Sequence, residues 1–185
     1  MGILDKSKTR KVATSLYITV VKQARQPFLY TNLGVPDTFD GRFNMISLHV
    51  FLVLRRLKSN FTRSEKTSQA LFDVMFADMD QSLREIGVGD LRVGKNVKVM
   101  VANFYGRISA FEKALRDSSD VLLIEAINRN VFPKEQSVQT NSEKIAQYIH
   151  FLKLQLDKIS LDTILTGKLQ FDIYTVNDFE KQSSS

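Results

Sequence analysis

Residues 71–107 read LFDVMFADMDQSLREIGVGDLRVGKNVKVMVANFYGR, and this stretch decides the fold. On either side of Gly87 and Gly89, apolar residues recur at intervals of three and four. That spacing is typical of amphipathic helices, and glycines at the junction favour a tight connection. The stretch therefore predicts two packed helices joined by a glycine turn.

The two predicted helices carry opposite charge. Five carboxylates and one arginine lie between Asp73 and Asp90, whereas six cations and one glutamate lie between Arg92 and Arg116. Opposite fields on adjacent helices serve either pairing between the helices or the binding of a charged partner. The sequence leaves both interpretations open.

Length, residue composition and net charge limit the class of protein to which this chain can belong. A chain of 185 residues has the length of one domain, and 43% hydrophobic with 25% charged residues is ordinary for a globular protein. The absence of cysteine excludes disulfides and thiolate ligands, and His49 and His150 alone leave little transition-metal chemistry. A net charge of +6 favours an acidic partner such as nucleic acid, a ribosome or anionic lipid.

Apolar periodicity along the chain predicts an all-α, single-domain bundle of about six or seven helices, built around helices at 42–58 and 62–86. The uncharged run 43–54 is shorter than the roughly 20 residues that cross a bilayer, so it predicts a central core helix. Another helix is expected at 95–116. The expected organisation is a basic N-terminal helix within the same domain, the main helical domain and a tail: 1–26, 27–166 and 167–185.

The first 26 residues contain six cations against Asp5, and their helix is expected to end before Pro27. No long apolar core or small-residue cleavage site follows the charges, which argues against a signal peptide. A basic amphipathic helix either exposes a solvated face or contacts a membrane surface.

The connection from Gly87 to Lys95 is either a structural linker or a weak anion or partner site. It lacks the spacing of a phosphate-binding loop and of a dinucleotide-binding fingerprint. Asp78 and Asp80 lie about 200° apart on an ideal helix, so they do not converge on a Mg²⁺ ion. Asp80 and Arg84 have instead the i,i+4 spacing of a salt bridge.

Three further features need a structure to interpret them. Lys95, Lys98 and Arg107 are the natural cations to pair with the acids of the preceding helix. Gly106, inside a predicted helix, suggests close packing against another helix. His49, among hydrophobic residues, is expected to be a hydrogen-bonded structural histidine rather than a metal ligand.

Longer motifs point to a family. The run at 77–98, ADMDQSLREIGVGDLRVGKNVK, is followed by FYGR at 104–107 and preceded by YTNLGVPDTFDGRFNMISL at 30–48. These motifs closely resemble the ubiquinol-cytochrome c chaperone family, over roughly residues 27–116 and more weakly to about 155. They are long and unusual enough that chance is a poor explanation.

The resemblance implies an assembly factor of the cytochrome bc1 complex that binds newly made cytochrome b. Mitochondrial relatives work with a small partner protein near the ribosomal tunnel exit. The start of this chain shows no clear transit peptide and is more similar to a bacterial member, expected in the cytoplasm or at the cytoplasmic face of the inner membrane. A processed eukaryotic form would lie in the mitochondrial matrix. No cofactor, metal ion or specific nucleic acid is expected, and the sequence does not indicate an oligomeric state.

Charged residues and tyrosines of the 28–41 loop and the two opposed helices are the candidate partner-binding residues. They are Tyr30, Asp37, Asp40, Arg42, Asp78, Asp80, Arg84, Glu85, Asp90, Lys95, Lys98, Tyr105 and Arg107.

Two other function classes compete with the chaperone. A ribosome- or RNA-binding module is motivated by the net charge and the basic first helix, and steep salt dependence would distinguish it. A carboxylate-dependent enzyme, motivated by the acidic cluster, requires a concave site with convergent carboxylates. No enzyme activity is expected.

Reversing the charge of Asp80, Arg84 or Lys98 is expected to weaken client capture while the fold stays largely intact, since these positions flank the apolar faces. A pull-down of the client with each variant tests this surface, and unchanged capture would contradict it.

Overall fold

The structure is a computed structural model that describes residues 3–117, 119–132, 139–172 and 174, without the side chains of residues 3, 4, 139 and 140. Within this part of the chain it contains no strand, and the predicted all-α domain is confirmed. Six helices have ten or more residues and two have five. Their bounds are α1 (Ile3–Ala24), α2 (Pro27–Thr31), α3 (Phe39–Leu57), α4 (Phe61–Glu85), α5 (Asp90–Ala114), α6 (Val121–Asn130), α7 (Gln139–Lys158) and α8 (Leu161–Leu165).

Helix α3 is the centre of the bundle, as its uncharged run predicts. It contacts α1, α4, α7 and α8. Its first turn is fixed by Thr38, whose hydroxyl accepts a hydrogen bond from the Gly41 amide at 3.1 Å. A Cβ atom at Gly41 would lie 1.9 Å from the carbonyl oxygen of Pro36, so the entry into α3 requires glycine.

The turn between α4 and α5 has the geometry expected from its glycines. Gly87 has a φ of 86°, its amide donates to the carbonyl of Arg84, and the Val88 amide donates to the carbonyl of Leu83. This pair of hydrogen bonds is a Schellman motif, which satisfies the last carbonyls of α4.

Two expectations for α5 are wrong. The helix begins at Asp90, five residues earlier than expected, because Gly89 serves as its N-cap and Asp90 places a carboxylate in its first turn. Gly106 does not mark a close helix contact, since a Cβ atom there would meet nothing within 4 Å. It lies on an exposed face of α5.

His49 is fully buried in a polar network that joins three helices. Its Nδ1 atom lies 2.7 Å from the Met45 carbonyl, which only accepts, so Nδ1 carries the hydrogen. Its Nε2 atom therefore accepts from the Tyr148 hydroxyl at 2.7 Å, and that hydroxyl accepts from Gln23 at 3.0 Å. Both imidazole nitrogens have protein partners, as expected for a structural histidine.

The described start of the predicted C-terminal tail packs on the bundle. Leu169 and Tyr174 are buried. The ring of Tyr174 lies 4.6 Å from that of Phe151 and 5.2 Å from that of Tyr148, measured between centroids. In the described parts of the chain, none of the helices combines the length and hydrophobicity that crossing a membrane requires.

The buried histidine makes stability depend on pH. Burial lowers the pKa of His49 from 6.5 to about 4. Between these values the unfolded state binds a proton that the folded state does not, so the free energy of unfolding decreases as pH falls, by about 1.4 kcal/mol per pH unit. Urea denaturation followed by circular dichroism from pH 7 to pH 4 measures this slope.

The variant His49→Gln is expected to be less stable at pH 7 and to lose that part of the slope between pH 6.5 and 4. Equal slopes in His49→Gln and the wild type would contradict the assignment.

Candidate partner-binding groove

An open groove of about 1070 Å³ runs along α4 and is also lined by residues of α1, α3 and α5. Helix α4 contributes the largest share of the wall, including Phe61, Phe72 and Val74. Phe104 and Tyr105 enter from α5. Most of the lining is apolar, which is unusual for the surface of a globular protein and typical of a binding site.

Aromatic rings form the centre of this groove. The ring centroid of Phe72 lies 4.7 Å from that of Phe76, 5.9 Å from that of Phe104 and 5.6 Å from that of Tyr105. The rings of Phe76 and Phe104 meet edge to face at 5.7 Å. Such pairs contribute about 0.5–1.5 kcal/mol each beyond the burial of their surface.

The rings of this cluster differ in exposure, since one is buried in the core and another faces solvent. Phe104 is 1% exposed and belongs to the core, whereas Tyr105 is 57% exposed. Successive residues of a helix differ by about 100° in direction, so one ring enters the core while the next faces the groove. Phe61, at the start of α4, is 55% exposed. The groove therefore presents rigid aromatic side chains to solvent.

Charged residues surround the apolar lining. Lys66 of α4 makes a salt bridge with Asp5 of α1 at 3.0 Å. Arg10 and Lys58 add cations, and Asp73 adds a carboxylate. An apolar centre with a mixed charged rim is suited to an amphipathic or apolar helical segment, whose ends carry polar groups.

Of the thirteen residues proposed from sequence, Tyr105 alone lines this groove. Tyr30 has a different role, since its hydroxyl donates to the Ala24 carbonyl at 2.7 Å and connects α2 to α1. Nearby, Arg42 donates to both carboxylate oxygens of Asp37, at 2.6 and 3.2 Å. These hydrogen bonds lower the pKa of Asp37.

Arg107 and Asp40 form a second small group. The Arg107 guanidinium lies over the ring of Phe43, 5.1 Å from its centroid. Burial lowers the pKa of Arg107, while the charge of Asp40 opposes that shift.

A third group closes the turn between α4 and α5. Arg84 donates to Asp80 at 2.9 Å, as the i,i+4 spacing predicts, and also to Asp90 at the start of α5. The hydrogen bond to Asp80 is the main reason that the pKa of Arg84 is raised. Glu85 accepts from Gln81 at 2.9 Å.

Asp78 has a partner that the sequence did not indicate. It accepts a hydrogen bond from the hydroxyl of Tyr17 on α1 at 2.7 Å. Burial, reinforced by this carboxylate, raises the pKa of Tyr17. This partly buried hydrogen bond connects α1 to α4.

The expected pairing of Lys95, Lys98 and Arg107 with these acids is wrong. Among the described residues, none of the three makes a salt bridge within 4 Å of a carboxylate. Asp80 and Asp90 pair with Arg84 instead. Lys98 lies two turns before Tyr105 on the same exposed side of α5.

Sequence reasoning missed most of the groove, namely Leu54, Phe61, Phe72, Phe104 and Ile108. The available signal was the aromatic pair at positions 72 and 76 together with that at 104 and 105. In the part of the chain that the structure describes, no three His, Cys, Asp or Glu side chains are placed to hold a metal ion.

The fold and the groove define an all-α protein with an exposed aromatic surface along α4. Comparison with known proteins assigns it more narrowly. The family model described as "Ubiquinol-cytochrome C chaperone" matches residues 31–171, which is most of the chain. This chain belongs to the ubiquinol-cytochrome c chaperone family, and the resemblance read from the sequence motifs is confirmed.

A solved structure agrees with this assignment. The crystal structure of the Cbp3 homolog from Brucella abortus has a TM-score of 0.77 and 31% sequence identity, and the match covers 91% of this chain and 93% of that one. That relative is bacterial, in agreement with the expectation of a bacterial member.

Mitochondrial relatives are similar over part of their length. Ubiquinol-cytochrome c reductase complex assembly factor 1 of Mus musculus is 26% identical, over 90% of this chain and 57% of its own. Protein CBP3, mitochondrial, of Saccharomyces cerevisiae is 24% identical, over 91% of this chain and 54% of its own. The chain thus spans little more than half the length of these two relatives.

Proposed function

We propose that this chain is an assembly factor of the cytochrome bc1 complex that holds a segment of newly made cytochrome b in the groove along α4. Family membership and the names of the relatives support the complex as its context. The observation that carries the groove assignment is the aromatic surface of Phe61, Phe72 and Tyr105, in which Phe61 and Tyr105 are more than half exposed. No catalytic step is part of this function.

A membrane-protein client explains the chemistry of the groove. Segments of such a client expose apolar side chains before they are inserted and assembled, and those side chains aggregate in water. A groove of about 1070 Å³ is large enough for several side chains of one helix. Its charged rim, with the salt bridge between Asp5 and Lys66, meets the polar ends of that segment.

The place of action follows from the client. We assign the chain to the bacterial cytoplasm, at the cytoplasmic face of the inner membrane, where a new membrane protein first becomes accessible. A ribosome contact is compatible with the same position. The equivalent compartment for a eukaryotic form is the mitochondrial matrix.

Replacing the two exposed aromatic residues tests the groove. The double variant Phe61→Ser and Tyr105→Ser is expected to capture at least about tenfold less cytochrome b in a quantitative pull-down from cells that make both proteins, since exposed aromatic anchors carry much of the binding energy at such surfaces. Its unfolding midpoint should fall by only roughly 2–4 °C, because both side chains are more than half exposed and mainly the ring contacts of Tyr105 are lost.

Two exposed aliphatic residues outside the groove provide the matched control. Leu154 of α7 is 54% exposed and Val121 of α6 is 60% exposed. The double variant Leu154→Ser and Val121→Ser removes a similar exposed apolar surface and is expected to retain wild-type capture. An equal loss of cytochrome b capture in the two double variants would show that the groove is not the binding site.

A further inference from the structure

Nearly all the excess positive charge of the chain lies on α1 and its end. Residues 1–26 contain six lysines and arginines against one aspartate, so they supply five of the six net positive charges. That aspartate, Asp5, is already paired with Lys66. The rest of the chain, with 20 cations and 19 carboxylates, has a net charge of +1, so α1 and its end account for most of the net charge.

The cations of α1 lie opposite its packed face. Ala13, Leu16 and Val20 are fully buried against the bundle. On the opposite side an exposed set of cations extends from the second turn to the residue after the helix, and it comprises Lys8, Lys11, Lys22 and Arg25.

Helical geometry collects these four side chains into one surface. They fall within an arc of about 100° and extend over roughly 26 Å of the helix axis. Among the described residues, none of the four makes a salt bridge with a carboxylate. The cationic face of α1 thus carries two pairs of cations, Lys8 with Lys11 and Lys22 with Arg25, one pair near each end of the helix.

The middle of this face is uncharged and partly apolar. Between Lys11 and Lys22 the exposed residues are Thr14, Ser15 and Ile18, and Ile18 is 50% exposed. Cations at both ends of the face can contact lipid phosphates, and an aliphatic side chain between them can enter the headgroup region. RNA-binding surfaces add aromatic rings for base stacking, and this face has none.

We propose that the cationic face of α1 docks the protein on an anionic lipid bilayer. The charge complementarity between its four unpaired cations and lipid phosphates drives the contact, and Ile18 contributes an apolar one. The biological value of this docking rests on the proposed function, since the client is a membrane protein. Arg10 lies at the edge of the cationic face and also lines the groove along α4, so docking places the groove beside the bilayer surface.

Vesicle binding of the purified full chain tests the proposal. Flotation is measured with phosphatidylcholine vesicles that contain 30% phosphatidylglycerol and with pure phosphatidylcholine vesicles. Each cation near an anionic surface strengthens binding about fivefold. The quadruple variant Lys8→Gln, Lys11→Gln, Lys22→Gln and Arg25→Gln is expected to lose at least about tenfold in affinity for the anionic vesicles.

A second quadruple variant separates a local surface from net charge. Four exposed cations elsewhere, which make no salt bridge among the described residues, are changed by Arg92→Gln, Lys113→Gln, Arg129→Gln and Lys158→Gln. This variant has the same net charge as the first and is expected to keep binding to within about threefold. Circular dichroism confirms that both variants are folded.

The outcomes either support or overturn the proposal. The proposal is supported if only the α1 variant loses affinity for the anionic vesicles and all forms bind weakly to pure phosphatidylcholine. The proposal would be overturned if both quadruple variants lost vesicle affinity equally, or if binding did not depend on the phosphatidylglycerol content. It would also be overturned if the α1 variant lost affinity for a labelled single-stranded RNA but not for vesicles. Client capture in detergent is measured in parallel: the α1 variant retains it if the groove function holds, so a failure of lipid docking is distinguishable from a failure of the groove.

Discussion

Helix α3 buries every residue from Met45 to Val53, and no single neighbouring helix can cover a helix on all sides. Helices α1, α4, α7 and α8 each supply part of the cover. The polar atoms enclosed with it must also be satisfied, because an unpaired buried donor or acceptor costs about 1–3 kcal/mol. The network of His49, Tyr148 and Gln23 satisfies both nitrogens of the buried imidazole and joins α3 to α7 and α1.

The groove follows from how α4 is used in this arrangement. One side of α4 covers α3, and another packs along α1 through contacts such as the hydrogen bond from Tyr17 to Asp78. Helix α5 packs against α4 through Phe104, but it leaves Phe61 more than half exposed and Phe72 partly exposed. Since the turn between α4 and α5 is fixed by the Schellman motif at Gly87, this exposed surface belongs to the folded state and does not require an opening motion.

Local signals in the sequence were sufficient for much of the fold. The uncharged run in α3, the glycine turn after α4 and the pairing of Asp80 with Arg84 all depend on residues within a few positions of one another, where helical periodicity applies. The helix expected at 95–116 begins five residues earlier, at Asp90, because the exposed Gly94 is tolerated inside a helix at a cost of about 1 kcal/mol.

Long-range contacts account for what the sequence could not show. Tyr17 and Asp78 are 61 positions apart, and no periodicity relates them. The same limit applies to the groove. Phe61 and Tyr105 are of residue types that are often buried, and their exposure depends on where α1 and α5 lie relative to α4. The charge pattern predicts a partner surface, and the structure shows that Arg84 and Asp90 also form a salt bridge across the turn between α4 and α5. The family motifs identified the class of protein but not its binding surface.

The central claim is that cytochrome b contacts the groove along α4. Site-specific photo-crosslinking in cells tests it most directly, with p-benzoylphenylalanine in place of Phe61 or Tyr105 and, as a reference, in place of the equally exposed Leu154. Cytochrome b is expected to be the main crosslinked product at positions 61 and 105, with little or none at position 154. Crosslinking of cytochrome b from position 154 but from neither groove position would contradict it.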